Sequence, residues 1–297
     1  MKKIKLIFLV VIAVFAVDIG RYFVYPNVSE LKKTNPIPSA FMERKMKQWE
    51  EEGKKKTIVQ QWVQIKQISP YLIKAVLISE DDKFYAHDGF DIEAIEGAIE
   101  RNIKSGQFSF GGSTISQQLS KNLYLSPSKN PIRKVKEAII TWRIERELSK
   151  TRILEIYLNI AQWGDNIFGI EAASKHYFGK SAKNLTAMEA SRLASVLPNP
   201  VLYNPTSDRR FVVNKSNRIY KIMQRRGIVE PEFKEVVTDR IQDETQIKNI
   251  EEMENIENNT QEIEEIEKPE NIENQIVDNI EDIATQYDSI DSESSSE

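Results

Sequence analysis

PYLIKAVLISEDDKFYAHDGF, residues 70–90, runs an apolar helical stripe into three consecutive carboxylates, then an aromatic pair, one of the chain's two histidines and a glycine. Ser69 followed by Pro70 predicts a helix start, the serine as cap and the proline in the first turn. Leu72, Ala75, Val76 and Ser79 keep i, i+3, i+4, i+7 spacing, and Glu80 is the next position along that stripe. A glutamate that extends an apolar stripe is partly withdrawn from water, which suits proton transfer. Asp81 and Asp82 point elsewhere. The plain alternative is a helix that frays into a solvated acidic turn.

A metal site is a poorer reading of the same residues. Glu80, Asp81, Asp82, Asp88 and Asp91 miss the regular intervals of a calcium loop. His87 has no partner histidine on its face, His176 being remote in sequence, so it reads as a hydrogen-bonding residue of the turn and no protein-only metal site is expected.

Outward from this stretch, helical periodicity dominates residues 57–230. The one persuasive strand is TIVQQWVQI, residues 57–65, with Ile58, Val59, Trp62 and Val63 in imperfect alternation. Asp91 is placed to cap IEAIEGAIERNIKSG, Ser113 or Thr114 to cap TISQQLSKNLY, and Thr186 with Glu189 to form a capping box. RKVKEAIITWRIERELS predicts a long helix, and RILEIYLNIAQW another that stops at Gly164. No repeat at solenoid spacing interrupts this pattern. The fold class is mainly α, in one domain of about 200 residues.

A second carboxylate, Glu137, lies on the long helix. Val135, Ala138, Ile139 and Trp142 are its predicted buried stripe, and Arg133 sits one turn before Glu137 on the same side. The bland account is a surface ion pair, worth little. Paired carboxylates beside clustered cations would instead move a proton and hold an anionic group. Between the two carboxylates, FGGSTISQQLSKN offers glycines for close backbone approach and the polar side chains Ser113, Thr114, Gln117, Gln118, Lys121 and Asn122 at helical spacing. Gly179-Lys180-Ser181 lacks the upstream glycine of a phosphate-binding loop, and Ser126 to Lys129 matches S-x-x-K without its companion motifs.

The ends and the charge frame this core. Lys2, Lys3 and Lys5 precede an unbroken apolar run from Leu6 to Val17. A span needs about 20 apolar residues, reached only by admitting Asp18 and Arg21, so signal peptide and signal anchor are both open; the reading adopted is an uncleaved anchor over residues 1–30, lysines inside and the rest outside. From about Ile241 the chain turns to Glu, Asn, Ile and Ser, which predicts disorder; isoleucines 272, 276, 280 and 283 leave room for a helix formed on a partner. Residues 251–297 hold 17 acidic side chains against one lysine, leaving 40 basic and 28 acidic in residues 1–250. A basic body suits an anionic partner: phosphate, nucleic acid or a membrane surface. The chain has no cysteine, which excludes thiol nucleophiles, disulfides and thiolate metal sites.

Taken in order, EDDKFYAHDG, GGSTISQQLSKN, RKVKE and KTRILEIYLN resemble the signature motifs of the peptidoglycan glycosyltransferases, the lysozyme-like transglycosylases of cell-wall synthesis. The resemblance spans about residues 57–225, and IAQWGDNIFGIEAASKHYFGK is most similar to the monofunctional biosynthetic members. It implies an enzyme domain over residues 31–235, a tail over 236–297 and no penicillin-binding domain. It further implies an inverting transfer that polymerises lipid II into β-1,4 glycan strands, the 4-hydroxyl of lipid II attacking a glycan held on undecaprenyl pyrophosphate. By this resemblance Glu80 is the base. Glu137, with Lys121, Arg133 and Lys134, holds the donor pyrophosphate, and Ser113, Thr114, Gln117, Gln118 and Asn122 bind substrate. No organic cofactor is implied; a divalent cation, Mg2+ or Mn2+, at the pyrophosphate stays open. The implied setting is a single-pass protein of the cytoplasmic membrane with its catalytic domain on the outer, periplasmic side, partnered by lipid II and other cell-wall synthesis proteins, not nucleic acid. The long acidic tail departs from the family pattern. A glycan-cleaving relative of lysozyme and an inactive scaffold are the alternatives; the first does not need the basic cluster, and the intact carboxylates argue against the second.

Overall fold

A computed structural model describes residues 2–106, 111–125 and 131–229. The acidic tail, its isoleucine pattern, the boundary at residues 235 and 236 and the Ser126 to Lys129 tetrapeptide lie outside them. The described elements are helices α1 (Lys2–Gly20), α2 (Ala40–Glu51), α3 (Pro70–Glu80), α4 (Ile92–Ser105), α5 (Ile115–Tyr124), α6 (Pro131–Glu147), α7 (Lys150–Ile160), α8 (Ile170–Phe178), α9 (Ala187–Val196) and α10 (Arg210–Arg225), and strands β1 (Val59–Gln60) and β2 (Ile167–Phe168).

Helix α7 forms the centre. Ile153, Leu154, Ile156, Tyr157, Leu158 and Ile160 are all buried, so the helix is enclosed along most of its length while its first turn reaches the surface. Against it pack α5, through Ile115, Leu119 and Leu123, and α6, through Ile140 and Ile144. A second layer joins α3 to α9 and α10. Small residues Ala187, Ala190, Ser191, Ala194 and Ser195 let α9 approach α3 closely, while Val212, Ile219 and Met223 seal α10 over both. Each fully buried Leu or Ile contributes about 1.5–3 kcal/mol relative to exposure.

The capping signals work as predicted at three helices. Asp91 accepts from Ala94 N, and Thr114 with Gln117 and Thr186 with Glu189 form capping boxes. Ser69 differs: Pro70 does open α3, but the serine hydroxyl donates to Leu185 O at 2.9 Å, tying α3 to the approach to α9 instead of capping it.

Three further expectations are corrected. The strand over residues 57–65 shrinks to two residues, paired in parallel as Val59 with Ile167 and Gln60 with Phe168. Beyond it the Asn159 side chain takes the place of a neighbouring strand, accepting from Val63 N and donating to Val63 O, both at 2.8 Å. Helix α7 stops at Ile160 rather than Gly164, because Trp163 N turns back to Ile167 O. On α6 the buried face is Glu137, Ile140, Thr141 and Ile144, not Val135 and Trp142, which are exposed. Trp142 meets Phe23 edge-on at 6.3 Å, so that side of α6 faces the N-terminal segment.

A stretch long and apolar enough to cross a membrane by length and composition covers Phe8–Lys32 and so takes in most of helix α1. The segment after α1 is strapped to the body. Asp18 pairs with Lys136, Arg143 donates to Tyr22 O and Val24 O at 3.0 Å each, and Arg152 donates to Leu31 O and Thr34 O.

Candidate active site

Glu80 ends α3, and the burial of Leu72, Ala75 and Val76 carries it to where α3 meets α5 and α9. The residue is half-buried. Its Oε1 accepts from Ser79 Oγ at 3.0 Å and its Oε2 from Gln118 Nε2 at 3.1 Å. Both oxygens accept, which fixes the orientation of the carboxylate. Gln118 Oε1 accepts in turn from the Tyr157 hydroxyl at 3.1 Å. Burial, with the Glu80 and Asp81 carboxylates nearby, pushes the Tyr157 phenol well above its ordinary pKa and keeps it a neutral donor.

The two aspartates that follow are different in kind. Asp81 is buried, with Oδ1 2.8 Å from His87 Nε2 and Oδ2 accepting from Ile115 N at 2.9 Å. His87 Nδ1 accepts from Gly89 N at 3.1 Å, so Nε2 carries the hydrogen that goes to Asp81. Thr114 Oγ1 donates to Gly89 O at 2.7 Å and closes the ring. These bonds bolt the turn after Glu80 to the start of α5, the role expected of His87. Gly89 has φ +91° and a Cβ there would lie 2.8 Å from Thr141 Cγ2, so glycine is required. Asp82 instead faces outward to Arg226 of the residues following α10, in a bidentate pair at 2.6 and 2.7 Å. Arg226 holds the Asp82 carboxyl below its ordinary pKa.

The second carboxylate is no surface ion pair. Glu137 is 2% exposed, accepts from Arg133 Nη1 at 3.3 Å and pairs with Lys134 Nζ. Lys134 also reaches Ser113 Oγ at 3.3 Å, linking α6 to the entry of α5. Lys121 stands on the exposed side of α5. Desolvation lowers its pKa, with Arg133 and Lys134 acting the same way and Glu137 and Glu80 opposing. Lys121 therefore lies within electrostatic range of both carboxylates. A cation that sequence reasoning missed, Lys215 of α10, also feels Glu80 while burial lowers its pKa.

Beside Glu80 a cavity of about 380 Å3 is walled by Asp82, Lys83, Glu93, Gly112 and Ser113. The expected substrate-binding residues divide. Ser113, Gln118, Lys121, Arg133 and Lys134 gather around the two carboxylates, and Asn122 is half-buried next to Lys121. Thr114 and Gln117 are buried and engaged in their capping box, although Thr114 also borders the cavity. Tyr157 was hidden in the sequence because a tyrosine among the apolar residues of α7 reads as core; its signal is the polar tip that a buried tyrosine must satisfy.

The described residues would not hold a divalent cation by protein ligands alone. Glu137 already has a cation on each oxygen, and among the described residues no three Asp, Glu or His side chains converge.

A family model described as Transglycosylase matches residues 45–224. The chain is 43% identical over 217 residues to the biosynthetic peptidoglycan transglycosylase of Nitrosospira multiformis, covering 73% of this chain and 92% of that protein. It is 41% identical over 208 residues to the protein of that description from Methylobacillus flagellatus, with coverage of 70% and 91%. To the one from Neisseria gonorrhoeae it is 42% identical over 201 residues, with coverage of 68% and 86%.

Proposed function

This chain belongs to the transglycosylase family, and from that membership we infer that it is a peptidoglycan glycosyltransferase that polymerises lipid II into linear β-1,4 glycan strands and releases undecaprenyl pyrophosphate. Residues 1–30 anchor it in the cytoplasmic membrane, residues 31–235 are the enzyme on the outer face, and residues 236–297 are an acidic extension. An anchor suits a substrate that is itself lipid-linked, with Phe23 and Tyr25 exposed just beyond α1 at the depth where aromatic side chains favour the interface.

In this reading the acceptor's 4-hydroxyl loses its proton to Glu80 as its oxygen attacks the anomeric carbon of the donor from the face opposite the pyrophosphate. The carbon–oxygen bond to pyrophosphate breaks with that electron pair, and the anomeric centre inverts. Ser79 and Gln118 aim the Glu80 carboxylate. Lys121, Arg133 and Lys134 neutralise the pyrophosphate as its charge grows, the fixed-charge stabilisation that carries much of catalysis in a water-poor site. Glu137 holds Arg133 and Lys134 in place so that they need not reorganise. The observation that carries the reading is the buried Glu137 with Arg133 and Lys134 paired to it and Lys134 reaching Ser113 at the entry of α5.

The test is incubation of the detergent-solubilised full chain with labelled lipid II, strands resolved on a gel. Wild type should yield long glycan and Glu80→Gln none. Polymer from Glu80→Gln would remove Glu80 as the base.

A further inference from the structure

We propose that Tyr157 is a positioning residue for polymerisation, its hydroxyl fixing the Gln118 amide in the one orientation that offers an N–H to Glu80; this rests on Glu80 acting as the base. Tyr157 comes from the buried second half of α7 and is 1% exposed. A hydroxyl at such a depth must have a hydrogen-bond partner, and it donates to Gln118 Oε1 at 3.1 Å. The other end of that amide donates to Glu80 Oε2 at 3.1 Å. Three residues from three helices, α7, α5 and α3, thus form one chain of donors ending on the reacting carboxylate.

The direction of this chain is what matters. The two ends of a glutamine amide are nearly the same size, so packing alone does not choose between them. Turned over, Gln118 would set its carbonyl oxygen against the Glu80 carboxylate, acceptor against acceptor, and leave the Tyr157 hydrogen without a receiver. As found, every donor meets an acceptor. Each bond also polarises the next, strengthening the N–H that reaches Glu80. Ser79 is a weaker support, since its single hydrogen is shared between Glu80 Oε1 and Ala194 O. Tyr157 therefore acts on the carboxylate without touching substrate, and phenylalanine in its place would fill the same space while releasing the amide.

The experiment is a double-mutant cycle on the full chain in detergent, measuring initial rates over a range of lipid II concentrations for wild type, Tyr157→Phe, Gln118→Ala and the pair. Tyr157→Phe should lower kcat about fivefold, the effect of losing one buried hydrogen bond, with KM within twofold of wild type. In the Gln118→Ala background the same change should do nothing further, because the amide it orients is gone. Multiplying effects, an unchanged kcat, or a loss carried by KM would overturn the proposal. Melting temperatures of all four proteins separate this from general destabilisation: rates that fall only in step with melting also overturn it. Glu80→Gln run alongside distinguishes the two layers. If it stays active, the assignment of Glu80 as base fails; if it is dead while Tyr157→Phe and Gln118→Ala multiply, only the relay fails.

Discussion

Asp81 and Asp82 are adjacent and chemically alike, but replacing each by asparagine should have very different consequences. The Asp81 side chain is 1% exposed and serves two donors, His87 Nε2 at 2.8 Å and Ile115 N at 2.9 Å. Asparagine keeps one accepting oxygen and turns an NH2 group toward the other donor. Losing a charged acceptor for a buried donor costs about 1.5–3 kcal/mol, and removing a negative charge from the N-terminus of α5 adds about 0.3–1 kcal/mol. Asp81→Asn should therefore cost roughly 2–4 kcal/mol, which for a domain of this size lowers the melting temperature by about 4–16 °C. Asp82 and Arg226 are each 47% exposed, so water screens their pair despite its good geometry. Asp82→Asn should cost at most about 1 kcal/mol. The sign with pH follows from the lowered Asp82 pKa. Its contribution is complete above the unfolded value, near 3.8, and is lost as pH falls through the folded one. The difference between Asp82→Asn and wild type should accordingly vanish in acid. Urea unfolding of the full chain in detergent, followed by tryptophan fluorescence, measures both variants. Equal losses for the two would refute the distinction between a buried brace and a solvated latch.

Further outcomes are expected. Lys121→Met should weaken donor binding tenfold or more, as loss of a charge-assisted hydrogen bond implies, while leaving the melting temperature unchanged or raised, since desolvation already disfavours that ammonium in the fold. Arg133→Ala should weaken donor binding similarly; titration with a donor-site pyrophosphate ligand reads both. Gly169→Ala should cost more than about 2 kcal/mol, because φ is +77° and the new Cβ would lie 2.6 Å from Asn159 O, whereas Gly106→Ala, at φ +68° with nothing within 4 Å, should cost about 1 kcal/mol; thermal unfolding compares them. Removing residues 241–297 should leave the rate on purified lipid II unchanged in the gel assay.

Much of the scaffold was legible because its signals are local. The stripe from Leu72 through Glu80, the Asp91 cap, the Ser113 or Thr114 cap and the Thr186 to Glu189 capping box each span only a few residues, and α3, α4, α5 and α9 formed where those signals stood. What stayed hidden depends on distant neighbours. Helix α6 carries apolar residues on more than one side, and only the placement of α5 and α7 selects Ile140 and Ile144 over Val135 and Trp142. A two-residue strand completed by the Asn159 amide has no periodicity to read. In the site, Glu80 could be nominated from its place on the stripe, whereas spacing left Glu137 open to a surface ion pair and only the family resemblance gave it a role; the partners that aim the two could not be read. Gln118 is 38 residues from Glu80 and Tyr157 a further 39 from Gln118, and Asp81 looked like part of an acidic turn until Ile115 and His87 closed on it.

Helix α6 has one more consequence. On one side it carries Arg133, Lys134 and Glu137; within the same stretch Lys136 grips Asp18 at the end of α1, and Arg143 holds the carbonyls of Tyr22 and Val24. If residues 1–30 anchor the chain as proposed, the altitude of Arg133 and Lys134 above the bilayer is set by a ruler within the chain, not by the length of a slack leash. Adding residues to the strapped segment would leave that altitude where it is as long as these bonds hold, and cutting them would let the catalytic body drift from the plane in which lipid-borne pyrophosphates arrive.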